Sequence, residues 1–321
     1  MAQPLDVEFN TIDGVTLRGC LYPANQRGPG VVMTSGLICV KEAFGLPKVA
    51  RDFQKAGITA LIYDTRTVGQ SGGHPRNDID PYKQIEDCSD ALTFLANHPT
   101  VDPSQVGLWG VSLGGAVSLC CASLDPRIRF VISACPILKC EQRKERLPQL
   151  LAKAVQDREA QIKGNPPFYH LAFAERRGTI GSSPFLGAHH AGLKDLSIKD
   201  PLNPTSEHKL NHEVSFLPNP PNAATIQTTY RFLMWNPFPI LEHLHSTPVL
   251  FIIPEEDEFI PPNVQLKYFD DLQGPKRLHL EKGSIHTNIF DREGNQEILN
   301  KQVEFVRDAL NGCVGSKDPK Y

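Results

Sequence analysis

The feature that most constrains this chain is Gly110-Val-Ser112-Leu-Gly114, a G-x-S-x-G pattern between two apolar runs. Residues 106–111 are short and apolar, which predicts a buried parallel strand, and the small residues of 113–124 predict a buried helix. At such a junction the serine adopts a strained backbone conformation, and the glycines avoid collisions with the neighbouring strand and helix. The pattern therefore predicts that Ser112 stands above a sheet edge, beside a helix N-terminus that favours negative charge.

The composition is that of an ordinary globular protein. Of the 321 residues, 40% are hydrophobic and 21% are charged, and the formal net charge is −3 without a basic stripe, so nucleic-acid binding has no support. No apolar run approaches the roughly 20 residues that span a bilayer, and the N-terminus lacks the basic and apolar regions of a signal peptide. We therefore expect a cytoplasmic protein without a nucleic-acid or membrane partner, and leave a homodimer open.

The eight cysteines lie mostly among apolar neighbours, and none forms a Cys-x-x-Cys pair. They are predicted to be reduced thiols, and no metal site is expected. Cys39 differs from the others because it falls in a loop near the predicted site.

Apolar runs alternate with helical patterns along most of the chain, beginning with two strands around the hairpin signal Asp13-Gly14. The predicted strands are 7–12, 15–22, 30–36, 58–64, 106–111, 130–135, 247–254 and 277–282. Helices are predicted at 47–56, 81–97, 113–124, 263–272 and 293–311. This order predicts an α/β fold with a mostly parallel sheet of eight strands.

The alternation stops between the sixth and seventh predicted strands. Residues 138–246 hold a charged helix at 142–163, a polar loop region and a third segment with the aromatic side chains Tyr230, Phe232, Trp235 and Phe238. An insertion of this length predicts a helical cap on a core formed by 1–137 and 247–312, with 313–321 as a loose tail. We expect Tyr230, Phe232 and Trp235 to bind substrate, unless they are the cap's own core.

A base and an acid for Ser112 must come from loops at the same edge of the sheet, after the carboxyl ends of other strands. In the order Ser–acid–His, the histidine is predicted to be His286, on the glycine-led loop after the last strand. The loop after Pro254 offers an acidic run at 255–258. Asp257 is the favoured acid because its spacing lets the chain turn back toward the imidazole, and Glu256 is the next candidate.

Acyl chemistry also needs backbone N–H groups that stabilise an oxyanion. Leu113 directly follows the serine, and Leu37 follows the glycine turn at Gly36, so these two residues are the expected donors. Asp64 and Arg66 also follow a strand, but they are interpreted as an ion pair that fixes its loop.

These residues together resemble the α/β-hydrolase superfamily, and most of all the fungal family of polyketide transferases and polyketide-associated hydrolases. The segments that carry the closer resemblance are Val40-Lys-Glu42, Tyr63-Asp-Thr-Arg66, 69–76, 79–84, 90–94, Val101-Asp102 and Trp109-Gly-Val-Ser112. The resemblance implies an α/β-hydrolase fold and a role in secondary metabolism without a metal or organic cofactor. It also implies an acyl substrate held as an ester or thioester, as on CoA or a carrier protein.

Three functions are compatible with this pattern. The favoured one is a serine-dependent hydrolase or acyltransferase that works through an acyl-enzyme. A catalytically silent binding protein on the same fold is the first alternative, because a fold does not fix a function. A peptidase of the same superfamily is the second alternative.

Overall fold

The computed structural model describes residues 2–140, 145–171, 223–292 and 296–315. Its strands in chain order are β1 (Leu5–Asn10), β2 (Thr16–Tyr22), β3 (Gly28–Thr34), β4 (Thr59–Tyr63), β5 (Val101–Val111), β6 (Ile128–Ala134), β7 (Tyr169–Leu171), β8 (Ala223–Thr225), β9 (Val249–Pro254) and β10 (Lys276–Glu281). Its α-helices are α1 (Leu46–Lys55), α2 (Pro81–Ala96), α3 (Leu113–Leu124), α4 (Leu147–Ile162), α5 (Ile226–Met234), α6 (Phe238–Leu241), α7 (Pro262–Asp271) and α8 (Gln296–Leu310).

Eight strands form one sheet in the order β1-β2-β4-β3-β5-β6-β9-β10, which confirms the predicted strand number. The pairings β1–β2 and β2–β4 are antiparallel, and the pairings that follow them across the sheet are parallel. β4 and β9 are buried along their whole length, and β5 is buried over Val106–Val111, because both faces of the sheet are covered. The carboxyl ends of β3, β5, β6, β9 and β10 therefore meet at one edge.

Helices cover both faces of the sheet. On one face, α1 and α8 pack on Val31, Trp109 and Ile132, and the indole N–H of the buried Trp109 donates to Gln302 at 2.6 Å. On the other face, α2, α3 and α7 cover Val32, Leu108 and other side chains of alternating strand positions. This two-sided burial is the physical reason that the parallel strands lack polar alternation.

The insertion lies between β6 and β9 in the chain. Its described part contains α4, the two-stranded antiparallel pair β7–β8, α5 and α6, and the short pair was missed by the sequence analysis. The segment around β8 and α5 is fastened to the loop before α2. The Asn77 side chain donates to the Ala223 carbonyl at 2.8 Å, and the Ile79 N–H donates to the Thr228 hydroxyl at 2.8 Å.

Residues 313–315, predicted to be the start of a loose tail over 313–321, are held by the core. Val314 is buried against the α8 side of the core, and the Lys276 N–H donates to the Gly315 carbonyl at 3.3 Å. An apolar side chain and an edge-strand hydrogen bond therefore hold the chain as far as residue 315, and 316–321 lie outside the described residues.

The predicted ion pair between Asp64 and Arg66 is wrong. Asp64 pairs with the buried Lys41 at 3.2 Å, whereas Arg66 pairs with Asp87 and Asp13. Asp64 and Arg66 still fix the loop that carries them. Asp64 does so through the loop after β3, and Arg66 does so through Asp13 in the β1–β2 turn and Asp87 in α2.

Candidate active site

Ser112 occupies the sharp turn from β5 to α3 with φ of 59° and ψ of −122°, a conformation that costs a non-glycine residue free energy. A Cβ at Gly110 would lie 2.1 Å from the Gly114 carbonyl oxygen, and one at Gly114 would lie 2.3 Å from the Thr34 carbonyl oxygen. Both glycines are therefore required by close backbone approach. The turn is held by the Ser112 N–H, which donates to the Ala134 carbonyl at 2.9 Å.

His286 links Ser112 to Asp257 across the carboxyl edge of the sheet. Its Nε2 lies 2.9 Å from the Ser112 hydroxyl oxygen, and its Nδ1 lies 2.9 and 3.1 Å from the two carboxylate oxygens of Asp257. All three residues are buried. The structure thus brings the three side chains selected from the sequence into one hydrogen-bonded chain.

The Asp257 carboxylate is fixed by several donors. Its Oδ1 accepts from the N–H groups of Phe259 and Ile260, and its Oδ2 accepts from the buried Gln265 side chain. The neighbouring acids 255, 256 and 258 are exposed. Among the acidic run 255–258, Asp257 is therefore the one that faces the imidazole.

The surroundings of His286 control its charge. Burial lowers the pKa of His286, but the Cys135 sulfur and the Asp257 carboxylate raise it more, to about 10. The ring of Phe259 packs on the imidazole with centroids 4.6 Å apart, and the Phe44 ring approaches it edge-on at 6.3 Å. The imidazole is thus enclosed by apolar rings and paired with a fixed carboxylate.

The two expected oxyanion donors flank the serine. Leu113 follows Ser112 as the first residue of α3, and Leu37 follows Gly36, whose missing Cβ would lie 3.2 Å from the Ser112 Cβ. Within the part of the chain that the structure describes, neither N–H has a hydrogen-bond acceptor. Both N–H groups are therefore available to a negative charge that forms beside Ser112.

The loop that carries Leu37 is anchored from both ends. Lys41 donates through its backbone N–H to Asp64 at 2.7 Å and through its ammonium group to the same carboxylate. The Ser35 hydroxyl donates to the Cys39 carbonyl at 2.6 Å, and the Cys39 thiol donates to the Leu37 carbonyl at 3.2 Å. Cys39 therefore contributes a local contact within this loop.

The four cap aromatics occupy three different surroundings. Phe232 and Trp235 are buried in the same apolar core as α2 and α3, and the Trp235 indole N–H donates to the Ile137 carbonyl at 3.1 Å. Tyr230 packs in a small cluster under α4. Phe238 is partly exposed and lies 5.8 Å from the Tyr268 ring.

Three contacts of His286 and Asp257 were missed by the sequence analysis: those of Phe44, Cys135 and Phe259. Phe259 carries a weak signal, because it follows Asp257 by two residues and its N–H caps the carboxylate. Phe44 sits in a turn with φ of 54°, which no sequence pattern indicates. The contact of Cys135 with His286 depends on β6 lying between the strands that precede Ser112 and Asp257. The sequence does not indicate that strand order.

Cys135, Asp257 and His286 also form a group of buried side chains whose donor atoms lie within 4.8 Å of one another. Both ring nitrogens of His286 already face Ser112 and Asp257. This arrangement fits a proton relay better than a metal site.

A serine on a strained strand–helix turn, with a histidine and an acid on later loops of a mostly parallel sheet, defines the α/β-hydrolase class. Residues 31–293 match the Hydrolase_4 family, described as serine aminopeptidase, S33. The chain belongs to this family and is an enzyme of the α/β-hydrolase class.

Among its relatives is a thiohydrolase from Eupenicillium brefeldianum, 40% identical over 96% of this chain and 95% of the relative. The polyketide transferase ATR5 from Stachybotrys chlorohalonatus is 41% identical over 95% of this chain and 97% of the relative. The crystal structure of the α/β-hydrolase GrgF from Penicillium sp. sh18 aligns with a TM-score of 0.81 and 33% identity, covering 97% of this chain and 100% of that one. These similarities confirm the predicted fold and the resemblance to the fungal family.

No helix within the described ranges is long and apolar enough to cross a membrane.

Proposed function

We propose that the protein is a serine-dependent acyl hydrolase or acyltransferase that forms an acyl-enzyme on Ser112. The observation that carries the proposal is the hydrogen-bonded chain from the Ser112 hydroxyl through His286 to Asp257. A serine hydroxyl is a weak nucleophile until a base takes its proton, and a base oriented by a carboxylate does this most effectively.

In the first half-reaction, the Ser112 oxygen attacks the acyl carbonyl carbon while His286 Nε2 accepts the hydroxyl proton. The carbonyl oxygen becomes negative and is stabilised by the N–H groups of Leu37 and Leu113. Collapse of this intermediate breaks the bond to the leaving thiol or alcohol, which departs with the proton from His286. Ser112 then carries the acyl group as an ester.

In the second half-reaction, water or an acceptor hydroxyl gives its proton to His286 and attacks the ester carbonyl. Collapse releases the acid or the new ester, and the proton returns to Ser112. Asp257 stays ionised throughout and favours the imidazolium that forms in each half-reaction. No step requires a cofactor.

The proposed substrate is a polyketide-like or other apolar acyl chain held as a thioester on CoA or a carrier protein, or as an ester. The names of the relatives support this class, since one is a thiohydrolase and another is a polyketide transferase. The apolar rings of Phe44 and Phe259 next to His286 are compatible with an apolar acyl group.

A peptidase is the second candidate, because the matching family is described as serine aminopeptidase. The same chain of hydrogen bonds would serve amide hydrolysis. Comparison of an aminoacyl p-nitroanilide with a decanoyl thioester separates the two, and we expect turnover of the thioester.

The main test is intact-mass spectrometry of the protein after incubation with a fluorophosphonate probe and, separately, with decanoyl-CoA. We expect a mass increase of one probe or one acyl group, located on Ser112 and absent in Ser112→Ala. Ser118→Ala is the matched control, since Ser118 is a buried serine of α3 and should leave labelling intact. Labelling that persists in Ser112→Ala would overturn the proposal, and the absence of both labelling and turnover in the wild type would favour the binding protein.

A further inference from the structure

The strand between those that carry Ser112 and Asp257 is β6, because the sheet order is β5-β6-β9-β10. His286 comes from the loop after β10, so its side chain must reach past the ends of β9 and β6 to contact Ser112. The first residue after β6 is Cys135. The topology therefore puts Cys135 on the path of the imidazole.

The register fixes the position of Cys135 closely. Ala134 pairs with Val111 on one side and with Ile252 on the other. The Cys135 N–H donates to the Ile252 carbonyl at 2.8 Å, and its φ is +40°, so the chain turns away directly after it. The side chain is fully buried at this point.

The Cys135 sulfur, a His286 nitrogen and an Asp257 carboxylate oxygen lie within 4.8 Å of one another. Among the described residues, the polar or titratable groups that face the imidazole are Asp257, Cys135 and the Ser112 hydroxyl, and the rings of Phe44 and Phe259 complete its surroundings. Contact between a sulfur and an aromatic ring is stabilising, and the polarisable sulfur also stabilises a ring that becomes positively charged.

We propose that Cys135 is a positioning residue for His286 and that its thiol holds the imidazole in line with Ser112 and Asp257. This inference rests on the proposed function of Ser112 and His286. The imidazolium forms once in each half-reaction, and a ring displaced by a fraction of an ångström would lose its line to the serine oxygen. Cys135 contacts neither the acyl group nor the serine oxygen in this scheme, so it acts on kcat rather than on KM.

The direction of the pH effect follows from the charge of the ring. The Cys135 sulfur raises the pKa of His286 together with Asp257 and against burial. Removal of the sulfur therefore lowers that pKa, and the neutral base becomes available at lower pH. The acidic limb of kcat/KM should move to lower pH by about 0.2–1 unit.

The test compares Cys135→Ala and Cys135→Ser with Cys88→Ala, which removes a buried thiol from α2 without touching His286. With a p-nitrophenyl ester, we expect Cys135→Ala to lower kcat roughly tenfold or more at unchanged KM and to shift the acidic limb. Cys135→Ser should fall between Cys135→Ala and wild type. Cys88→Ala should match the wild-type limb, because a lost thiol elsewhere in the core does not reach the imidazole.

A second readout does not require turnover. The His286 Nδ1–H proton is followed by NMR as a function of pH in wild type, Cys135→Ser and Cys88→Ala, and we expect its titration to shift in Cys135→Ser only. This variant decides the question if Cys135→Ala fails to fold. An unchanged rate profile and an unchanged titration in Cys135→Ser would overturn the positioning role. Full turnover by Ser112→Ala would instead overturn the proposed function and leave the NMR result standing.

Discussion

At the scale of single residues, Ser112 and Asp257 are both held in their conformations by hydrogen bonds from neighbouring groups. Ser112 holds a positive φ because its N–H, its carbonyl and the helix behind it are all engaged by neighbouring backbone. Asp257 holds its rotamer because three donors besides His286 reach its carboxylate. The two groups that the imidazole contacts are thus held in place by their own neighbours.

The first prediction concerns Asp257→Asn. The amide cannot accept the imidazole N–H as the carboxylate does, so the wrong tautomer of His286 is favoured. We expect kcat to fall on the order of 10⁴-fold, as found for this substitution in serine proteases. Glu256→Gln is the matched control and should keep nearly full activity, since Glu256 is exposed. A larger loss in Glu256→Gln would identify a different acid.

The second prediction concerns stability against pH. The pKa of His286 rises from 6.5 to about 10 on folding, so the folded chain keeps a proton that the unfolded chain releases between those values. The contribution of His286 to the free energy of unfolding should therefore be constant below about pH 6.5 and fall as pH rises, by up to about 1.4 kcal/mol per unit. Activity should rise over the same range because the base becomes neutral.

Urea titrations from pH 6 to 9 measure this slope, with His286→Gln as the control that lacks it. Thiols such as the partly buried Cys39 and the buried Cys120, whose pKa is raised to about 12, affect both proteins only above about pH 9. Equal slopes in the two proteins below pH 9 would contradict the prediction.

The identity of Ser112, Asp257 and His286 as the groups that meet could be predicted from the sequence because each follows an apolar run at a strand end. Cys135 and Phe44 could not. Their contacts with His286 arise from the order of strands and from positive φ values, which are properties of the folded sheet rather than of local pattern.

At the scale of elements, α3 approaches the end of β3 closely at Gly114. Gly114 allows it, because its Cα faces the carbonyl oxygens of Thr34 and Ser35. The end of β3 continues into the loop that carries Leu37. The spacing between helix and strand therefore also sets the distance between Ser112 and one of its expected N–H donors.

The third prediction is that Gly114→Ala loses both stability and rate. Its Cβ would lie 2.3 Å from Thr34 O and 2.5 Å from Ser35 O, so backbone must move. We expect a loss of about 1–3 kcal/mol or more in unfolding free energy and a lower kcat at similar KM. Gly28→Ala is the control. Gly28 lies on β3, as Thr34 does, and its added Cβ would make an ordinary contact with the Gly57 carbonyl oxygen at 3.4 Å. A variant with wild-type kcat would show that the loop tolerates the shift.

Most elements could be predicted from the sequence to within a few residues, since long apolar runs and helical spacing identify them. The pair β7–β8 could not, because each strand has three residues and the partners are separated by a long stretch of chain. Short strands contain too few residues for a period of two to be visible.

At the scale of the whole molecule, the insertion shares a core with the sheet. Trp235 and Phe232 pack with side chains of α2 and α3, and the Tyr82 ring lies 5.1 Å from that of Trp235. Arg231 also pairs with Asp78 at 2.8 Å. The cap boundary was predicted near residue 246. The chain on either side of this boundary packs together around Trp235.

The fourth prediction is that Trp235→Ala acts mainly on stability. The side chain is 5% exposed, so its removal leaves a cavity that should cost about 3–5 kcal/mol. We expect kcat/KM to fall alike for acetyl to decanoyl esters, measured alongside denaturant unfolding. Phe238→Ala is the control, since Phe238 is 36% exposed and should cost little. A selective loss for long acyl chains at unchanged stability would support the substrate contact that the sequence suggested.

The relay joins distant parts of the chain, since 174 residues separate His286 from Ser112. A ribosome that adds about 5–20 residues per second needs roughly 10–35 seconds to pass from the serine codon to the histidine codon. The strained turn can form on the nascent chain long before its base exists, and β10 must be synthesised and paired before the relay closes. The hydrogen-bonded chain from Ser112 through His286 to Asp257 can therefore close only in the last stage of synthesis, after β10 and the loop that follows it have been made.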